Sequence, residues 1–266
     1  MYYKIFPIYN GSFSVSFGEN LPYFKKIRDI PSFVFLLIGD DNEKILVDSG
    51  FATDYVPGID STFSRKPQEE LYNALLELKV YPEEINMVIQ THLHWDHTGG
   101  MALFPQASFY VQSRELLGLM KVGPYEECSF KPNHWLPYLN RFKLIDGHYE
   151  LKPGLNLLCS GKHTPGHQVV EVQTKSGKVI LGGDVPFVYD QLWDMIPAEI
   201  WQQFRLQADS KFFWDEEVKS TVYAKLMAEE KANLINPQLI SLPSIKSRAD
   251  IFLASHDPRL RKISAL

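Results

Sequence analysis

The chain has little cysteine. Only Cys128 and Cys159 occur in 266 residues, and they form no pair at metal-ligand or redox spacing. That argues against a disulfide framework, a cysteine zinc site and a dithiol redox motif, and leaves two inert thiols. Positive charge is also short: 27 lysines and arginines face 32 aspartates and glutamates, a formal net charge of −5. Nucleic acid and an anionic membrane surface are therefore disfavoured as partners. The longest apolar run, Phe33 to Ile38, is too short to span a bilayer. The opening Met1-Tyr2-Tyr3-Lys4-Ile5-Phe6-Pro7 lacks a basic stretch followed by an apolar signal core. These absences lead to the expectation of a cytoplasmic protein acting on a small molecule.

Hydrophobic residues at 45% and charged residues at 22% are those of a globular chain able to bury a core. Phe33 to Ile38 and Lys44 to Asp48 read as strands joined by a hairpin turn at Gly39-Asp40-Asp41-Asn42. A long loop is expected from Ser49 to Pro67, then a helix with Glu69 and Glu70 in its first turn and Leu71, Leu75 and Leu78 on one face. Further strands are expected at Met87 to Thr91, Phe109 to Val111, Leu155 to Cys159, Val169 to Thr174, Val179 to Leu181 and Ile251 to Ala254. A helix from Arg114 to Lys121 would be capped by Ser113, and another, capped by Asp215, would align Val218, Val222 and Leu226. No repeat or linker divides the chain, so one layered α/β domain over residues 1–266 is expected.

Chemistry concentrates in Thr91-His92-Leu93-His94-Trp95-Asp96-His97-Thr98-Gly99-Gly100. Three of the eight histidines and a carboxylate fall within six residues, and these donors suit a borderline cation such as zinc. If the strand continued, His92, His94 and Asp96 would share one face; His97 breaks that period and requires a turn. His134, His148 and His163 have no partner at ligand spacing and read as solvated or structural, although His163 stands four residues from His167.

The pattern His-x-His-x-Asp-His followed by Gly-Gly resembles the signature of the metallo-β-lactamase superfamily. The resemblance implies a four-layered αβ/βα sandwich and three more ligands at strand ends. Candidates stand at His167 in Thr-Pro-Gly-His, Asp184 after Val179 to Gly183, and His256 after Ile251 to Ser255. Carried over to this chain, the family's arrangement puts His92, His94 and His167 on one metal and Asp96, His97 and His256 on the other, with Asp184 bridging. It thus implies two divalent ions per chain, zinc by preference, with iron, manganese or cobalt also compatible. A pair about 3.5–4 Å apart would hold an activated hydroxide between them, with Asp96 as proton shuttle. The strand ending in Asp48-Ser49-Gly50 also matches the superfamily; Asp48 reads either as a support that orients a ligand or as a strand-terminating turn aspartate.

Within the superfamily, Asp184 stands where true β-lactamases carry cysteine, and His94 where flavodiiron proteins carry glutamate. No added nuclease domain is expected. The closest resemblance is to the N-acyl homoserine lactonase-like branch, through Thr-His-Leu-His-x-Asp-His, Thr-Pro-Gly-His-Gln and the final Ser-His-Asp. That branch implies opening of a lactone or another small ester; thioester or phosphodiester hydrolysis, and a non-hydrolytic or redox role, stay open as alternatives. One departure concerns the substrate. Those lactonases place a tyrosine three residues after the bridging aspartate, and this chain has Phe187, which cannot donate a hydrogen bond. Tyr189 is the candidate replacement. Residues 187–235, rich in aromatics near their start, are expected to form a lid or acyl pocket with Phe187 and Trp193, or a helical extension packed on the core or a dimer partner. Phe51, in the loop Phe51 to Lys66, is expected to wall the other side of the pocket. The resemblance also makes a homodimer a plausible assembly.

Overall fold

The computed structural model describes residues 1–15, 27–57, 61–122, 127–185, 216–232 and 238–266. Its first half contains β1 (Tyr3–Val15), β2 (Ile27–Gly39), β3 (Lys44–Val47), β4 (Thr62–Ser64), α1 (Leu71–Glu77), β5 (Met87–Ile89), α2 (Trp95–Thr98), β6 (Ser108–Gln112), α3 (Ser113–Leu119) and α4 (Pro132–Trp135). The second half contains β7 (Phe142–Ile145), β8 (Tyr149–Lys152), β9 (Leu155–Cys159), β10 (Gln168–Thr174), β11 (Gly177–Leu181), α5 (Glu216–Ala228), α6 (Leu242–Arg248) and β12 (Ile251–Leu253). Among the described residues the strands form a seven-stranded sheet, β4-β1-β2-β3-β5-β6-β7, and a five-stranded sheet, β12-β11-β10-β9-β8.

Both faces of each sheet are covered, which is why the central strands read as continuous apolar runs rather than alternating ones. In β2, Phe35 and Leu37 point between the sheets, where they join Ile45, Val47, Leu157, Val170, Val172 and Leu181. Their neighbours Val34 and Leu36 point outward into the cluster that also holds Leu71 and Leu75 of α1 and buried side chains of α3 and α5. On the far side of the smaller sheet, Leu158, Val169 and Ile180 pack on Ile245 of α6. The result is four layers, helix–sheet–sheet–helix.

The expected strands and their hairpin are present, β2 and β3 pairing antiparallel with Phe35 opposite Val47. The helix facing of Val218, Val222 and Leu226 also holds, all three being buried in α5. This part of the 187–235 segment is a helix packed on the core; residues 186–215, and with them Phe187, Tyr189, Trp193 and the capping role of Asp215, lie outside the described residues.

Several expectations need correction. β1 was not anticipated, because Pro7 and Gly11 interrupt its pattern. Pro7 lies where β1 has a partner on one side only, and Gly11, at φ 92°, sits where the register with β2 shifts. The loop from Ser49 to Pro67 contains β4, a three-residue strand paired to β1. Leu78 is exposed because α1 ends at Glu77, and Glu69 belongs to a preceding 3₁₀ turn. Ser113 does not cap α3; it begins the helix, and its hydroxyl donates instead to the carbonyl of Ile145 at 3.2 Å.

No helix among the described residues is long and apolar enough to cross a membrane.

Candidate metal centre

The parallel strands β3, β5, β11 and β12 deliver their C-terminal ends to one edge of the two sheets, the edge where open α/β sheets hold ligands. Asp48 follows β3, His92 follows β5, Asp184 follows β11 and His256 follows β12. β9 ends at the same edge, and β10 begins there directly after His167.

β5 stops at Ile89, and the single turn α2 then carries Trp95 to Thr98. Asp96 and His97 are therefore neighbours on a helical turn, and the shared strand face anticipated for His92, His94 and Asp96 is not how the three converge. Gln168 holds the loop after β5 down, donating to the carbonyls of Gln90 and Tyr110 at 2.8 and 3.1 Å. A left-handed backbone at Asp48, φ 62°, swings its carboxylate under the cluster, a conformation that aspartate tolerates better than most residues.

Two groups of donors result. Asp96, His97, Asp184 and His256 each place a ligand atom within 4.8 Å of the others, and so do His92, His94 and His163. Asp184 stands between them: its Oδ1 lies 3.1 Å from His97 Nε2 and 3.2 Å from His256 Nε2, and its Oδ2 lies 3.4 Å from His163 Nε2. Asp96 Oδ2 is 3.3 Å from His256 Nε2. His167 is adjacent, its ring 5.3 Å from that of His92, and its Nε2 accepts a hydrogen bond from the Asp184 amide at 3.2 Å. Gly183 permits this approach, since a Cβ there would lie 2.6 Å from the same nitrogen. His163 was expected to be solvated or structural. It is nearly buried, also at positive φ, with its Nε2 2.9 Å from His94 Nδ1.

The imidazoles are held from behind. His97 Nδ1 donates to Asp48 at 2.8 Å, and His256 Nδ1 to the carbonyl of Pro31 at 2.7 Å. The Thr91 hydroxyl donates to Asp48, so it must accept from His92 Nδ1, 3.0 Å away. The Ser160 hydroxyl donates to the His167 carbonyl and accepts from His167 Nδ1 at 2.8 Å. Each backing bond keeps a proton on Nδ1 and turns Nε2 inward, the nitrogen a cation would take.

Of these inward atoms, the Nε2 of His92, His94 and His97 and Oδ1 of Asp184 are buried without a hydrogen-bond partner. His97 Nε2 and Asp184 Oδ1 are close but misaligned for a hydrogen bond. A buried polar atom left in that condition costs about 1–3 kcal/mol, and a coordinated cation would remove the cost at all four. The residues fit such an ion.

Charge is divided across the site. Burial drives the pKa of His92, His94 and His167 well below the ordinary 6.5, with neighbouring histidines adding to the fall. These rings are neutral, as metal ligation requires. Burial also pulls His97 and His256 down, but Asp184 and the other carboxylates outweigh it, raising His97 well above its usual value and His256 to about 10. Burial pushes Asp184 up, while His256 and His97 more than compensate and hold it well below the usual carboxylate range. In the metal-free protein, protons on His97 and His256 thus occupy positions a cation would take, and binding would release them.

Aromatic rings enclose the group. Phe130 lies 4.7 Å from His94 and Phe13 5.7 Å from His256, centroid to centroid, and Trp95 packs 4.8 Å from Phe13. Phe51 is 2% exposed, with Arg65 over its ring at 3.7 Å, so it backs Phe13 and Trp95 rather than presenting an open surface. Sequence reasoning missed the braces Thr91, Ser160, Gln168 and Glu115. Glu115, the third residue of α3 and next to the buried Leu116, was the available signal, but its partners are set by tertiary packing. His134 pairs with Asp54 at 3.1 Å, a structural role as expected.

A sequence profile of the metallo-beta-lactamase superfamily matches residues 27–212. An N-acyl homoserine lactonase of Bacillus thuringiensis is 30% identical over 184 residues, covering 65% of this chain and 70% of that protein. Another from Bacillus sp. is 32% identical with the same coverage. The crystal structure of a quorum-quenching N-acyl homoserine lactone lactonase superposes with a TM-score of 0.64 at 25% identity, over 98% of this chain and 95% of that one. AidC, a dizinc quorum-quenching lactonase, shares the fold at a TM-score of 0.55 and 17% identity, over 77% of this chain and 82% of that one. With the profile spanning most of the chain, and the fold and donor set agreeing with it, the chain belongs to the metallo-β-lactamase superfamily and is a metal-dependent hydrolase.

Proposed function

We propose that the chain opens a lactone of the N-acyl homoserine lactone kind, or a closely related small ester, on a pair of divalent cations. The observation that carries this reading is the meeting of two donor groups at Asp184, with Nε2 of His92, His97, His167 and His256 turned inward by hydrogen bonds from behind. The names of the relatives at 30–32% identity supply the substrate class.

His92, His94 and His167 would hold one cation, with His163 beside His92 and His94, each ring 4.7 Å away. Asp96, His97 and His256 would hold the other, and Asp184 would reach both. Two bound cations would polarise the ester carbonyl and acidify water toward a pKa of about 7; zinc suits these nitrogen and oxygen donors, and iron, manganese and cobalt are also compatible. Asp96, on the helical turn beside His97, would accept the proton of the attacking water and return it to the leaving alkoxide. Asp48, through His97, keeps that ring's tautomer fixed. Phe13, Trp95 and Phe130 exclude water from one side, and Tyr189 is the proposed donor to the substrate carbonyl in place of Phe187.

The test is a panel of acyl homoserine lactones, simple lactones, thioesters and aryl phosphodiesters, assayed with metal-replete protein and after chelation. Metal-dependent ring opening with lactones ahead of the other classes is expected. Preference for thioesters or phosphodiesters would refute the lactone assignment, and activity that survives complete metal removal would refute the metal mechanism.

A further inference from the structure

Glu115 belongs to neither donor group, yet it holds the backbone of both loops that carry the first one. It is 1% exposed. Its Oε1 accepts the amide of Leu93 at 3.0 Å, between His92 and His94. Its Oε2 accepts the hydroxyl of Thr164 at 2.7 Å and the amide of Gly166 at 3.0 Å, both between His163 and His167. The turn and helix α3 are also in direct backbone contact: a Cβ on Gly166 would fall 2.0 Å from the Glu115 nitrogen. α3 continues straight from β6, with Ser113 tied to Ile145 of β7, so the carboxylate projects from a braced element.

We propose that Glu115 is a positioning residue that sets the separation of the His92–His94 loop from the His163–His167 loop, and through it the affinity of the first cation. The inference rests on the two-cation reading given above. A carboxylate suits this task because it accepts at both oxygens. An amide of the same shape would turn one acceptor into a donor facing an N–H or O–H, so Glu115→Gln must lose at least one bond and push the loops apart. Thr164→Val removes one bond and leaves the carboxylate in place.

The experiment titrates cobalt(II) into chelator-stripped wild type, Glu115→Gln and Thr164→Val, following visible absorption and competing with a chromophoric chelator. Wild type is expected to take two ions per chain. In Glu115→Gln one ion should bind about 10–100-fold more weakly, the other staying within about 3-fold, and Thr164→Val should show a smaller loss at the same ion. Wild-type affinity at both ions in Glu115→Gln, or equal weakening of both, overturns the proposal while leaving the two-cation reading intact. If wild type itself takes up no cobalt, that earlier reading fails and this one with it. Should Glu115→Gln not fold, Thr164→Val decides: an unchanged affinity overturns the proposal, and a selective loss supports it.

Discussion

Asp48→Asn is the substitution whose effect the structure defines most closely. Asp48 sits at φ 62°, a backbone region that costs most residues about 1–2 kcal/mol but that asparagine tolerates. The backbone is therefore left undisturbed, and the change is confined to hydrogen bonding. One oxygen can still accept from the Thr91 amide, 2.7 Å away. The other, which accepts from His97 Nδ1 at 2.8 Å, becomes an NH₂ donor. His97 must then accept at Nδ1 and carry its proton on Nε2, the nitrogen that faces Asp184 and Asp96. Loss of such a backing partner typically costs 10–100-fold in metal affinity, about 1.4–2.7 kcal/mol. The loss should fall on the ion held by Asp96, His97 and His256, the opposite ion from the one sensitive to Glu115. Chelator competition with zinc or cobalt measures it, while thermal denaturation of the stripped protein checks that folding is little changed. Asp48→Ala should lose similar metal affinity and, in addition, about 1–2 kcal/mol of metal-free stability through the strained backbone. Wild-type affinity for both ions in Asp48→Asn would refute the tautomer argument.

Asp96→Asn should lower turnover by about 10²–10⁴-fold if Asp96 carries the proton; steady-state kinetics with saturating metal test this, and near-wild-type turnover would remove it from that role. Leu37→Ala, at a fully buried position between the sheets, should destabilise the fold by about 2–5 kcal/mol in denaturant unfolding. Glu171 gives a pH prediction away from the metals. Burial pushes its carboxyl up, but the Arg248 guanidinium, at 2.7 and 3.1 Å, and Lys178 and Asn156 outweigh burial and hold the pKa below the ordinary 4.5. The stabilisation this supplies is present above that ordinary value and lost as pH falls through the lowered one. Glu171→Gln should therefore flatten the fall in melting temperature below about pH 4.5, and an unchanged acid profile would count against the ion pair.

Much of this architecture is legible in the residues. Strands with both faces covered announce themselves as apolar runs, and Phe33 to Ile38 shows this directly. The candidate ligands are legible because chemistry restricts them to a few residue types at strand ends. β1 was hidden because Pro7 and Gly11 disguise a strand whose ladder tolerates both. The convergence of Asp96 with His92 and His94 was read as strand alternation, whereas a single helical turn produces it; a run of six residues holds no information that separates the two. His163 is hard to read from sequence for a different reason. Its place beside His94 depends on the positive-φ turn at Lys162-His163-Thr164, and on α3 pressing on that turn, neither of which has a local signature. The braces have no residue type that announces them: Ser160 acts on His167 only because a turn brings the two together, and Thr91 and Glu115 act through partners 22 to 51 positions away.

The hydrogen bond from His256 Nδ1 to the carbonyl of Pro31 spans 225 positions and has a consequence for the order of folding. It ties β2 of the larger sheet to the loop after β12, the last strand of the smaller one. Contacts of such separation form late, because loop closure must be completed before they return any energy. A chain lengthening from its N-terminus can assemble His92, His94, Asp96 and His97 early, but lacks His256 until more than 150 further residues have been added. Tight retention of a second cation would thus mark a chain whose two sheets have docked, making metal content a sensitive reporter of complete folding as well as of catalytic readiness.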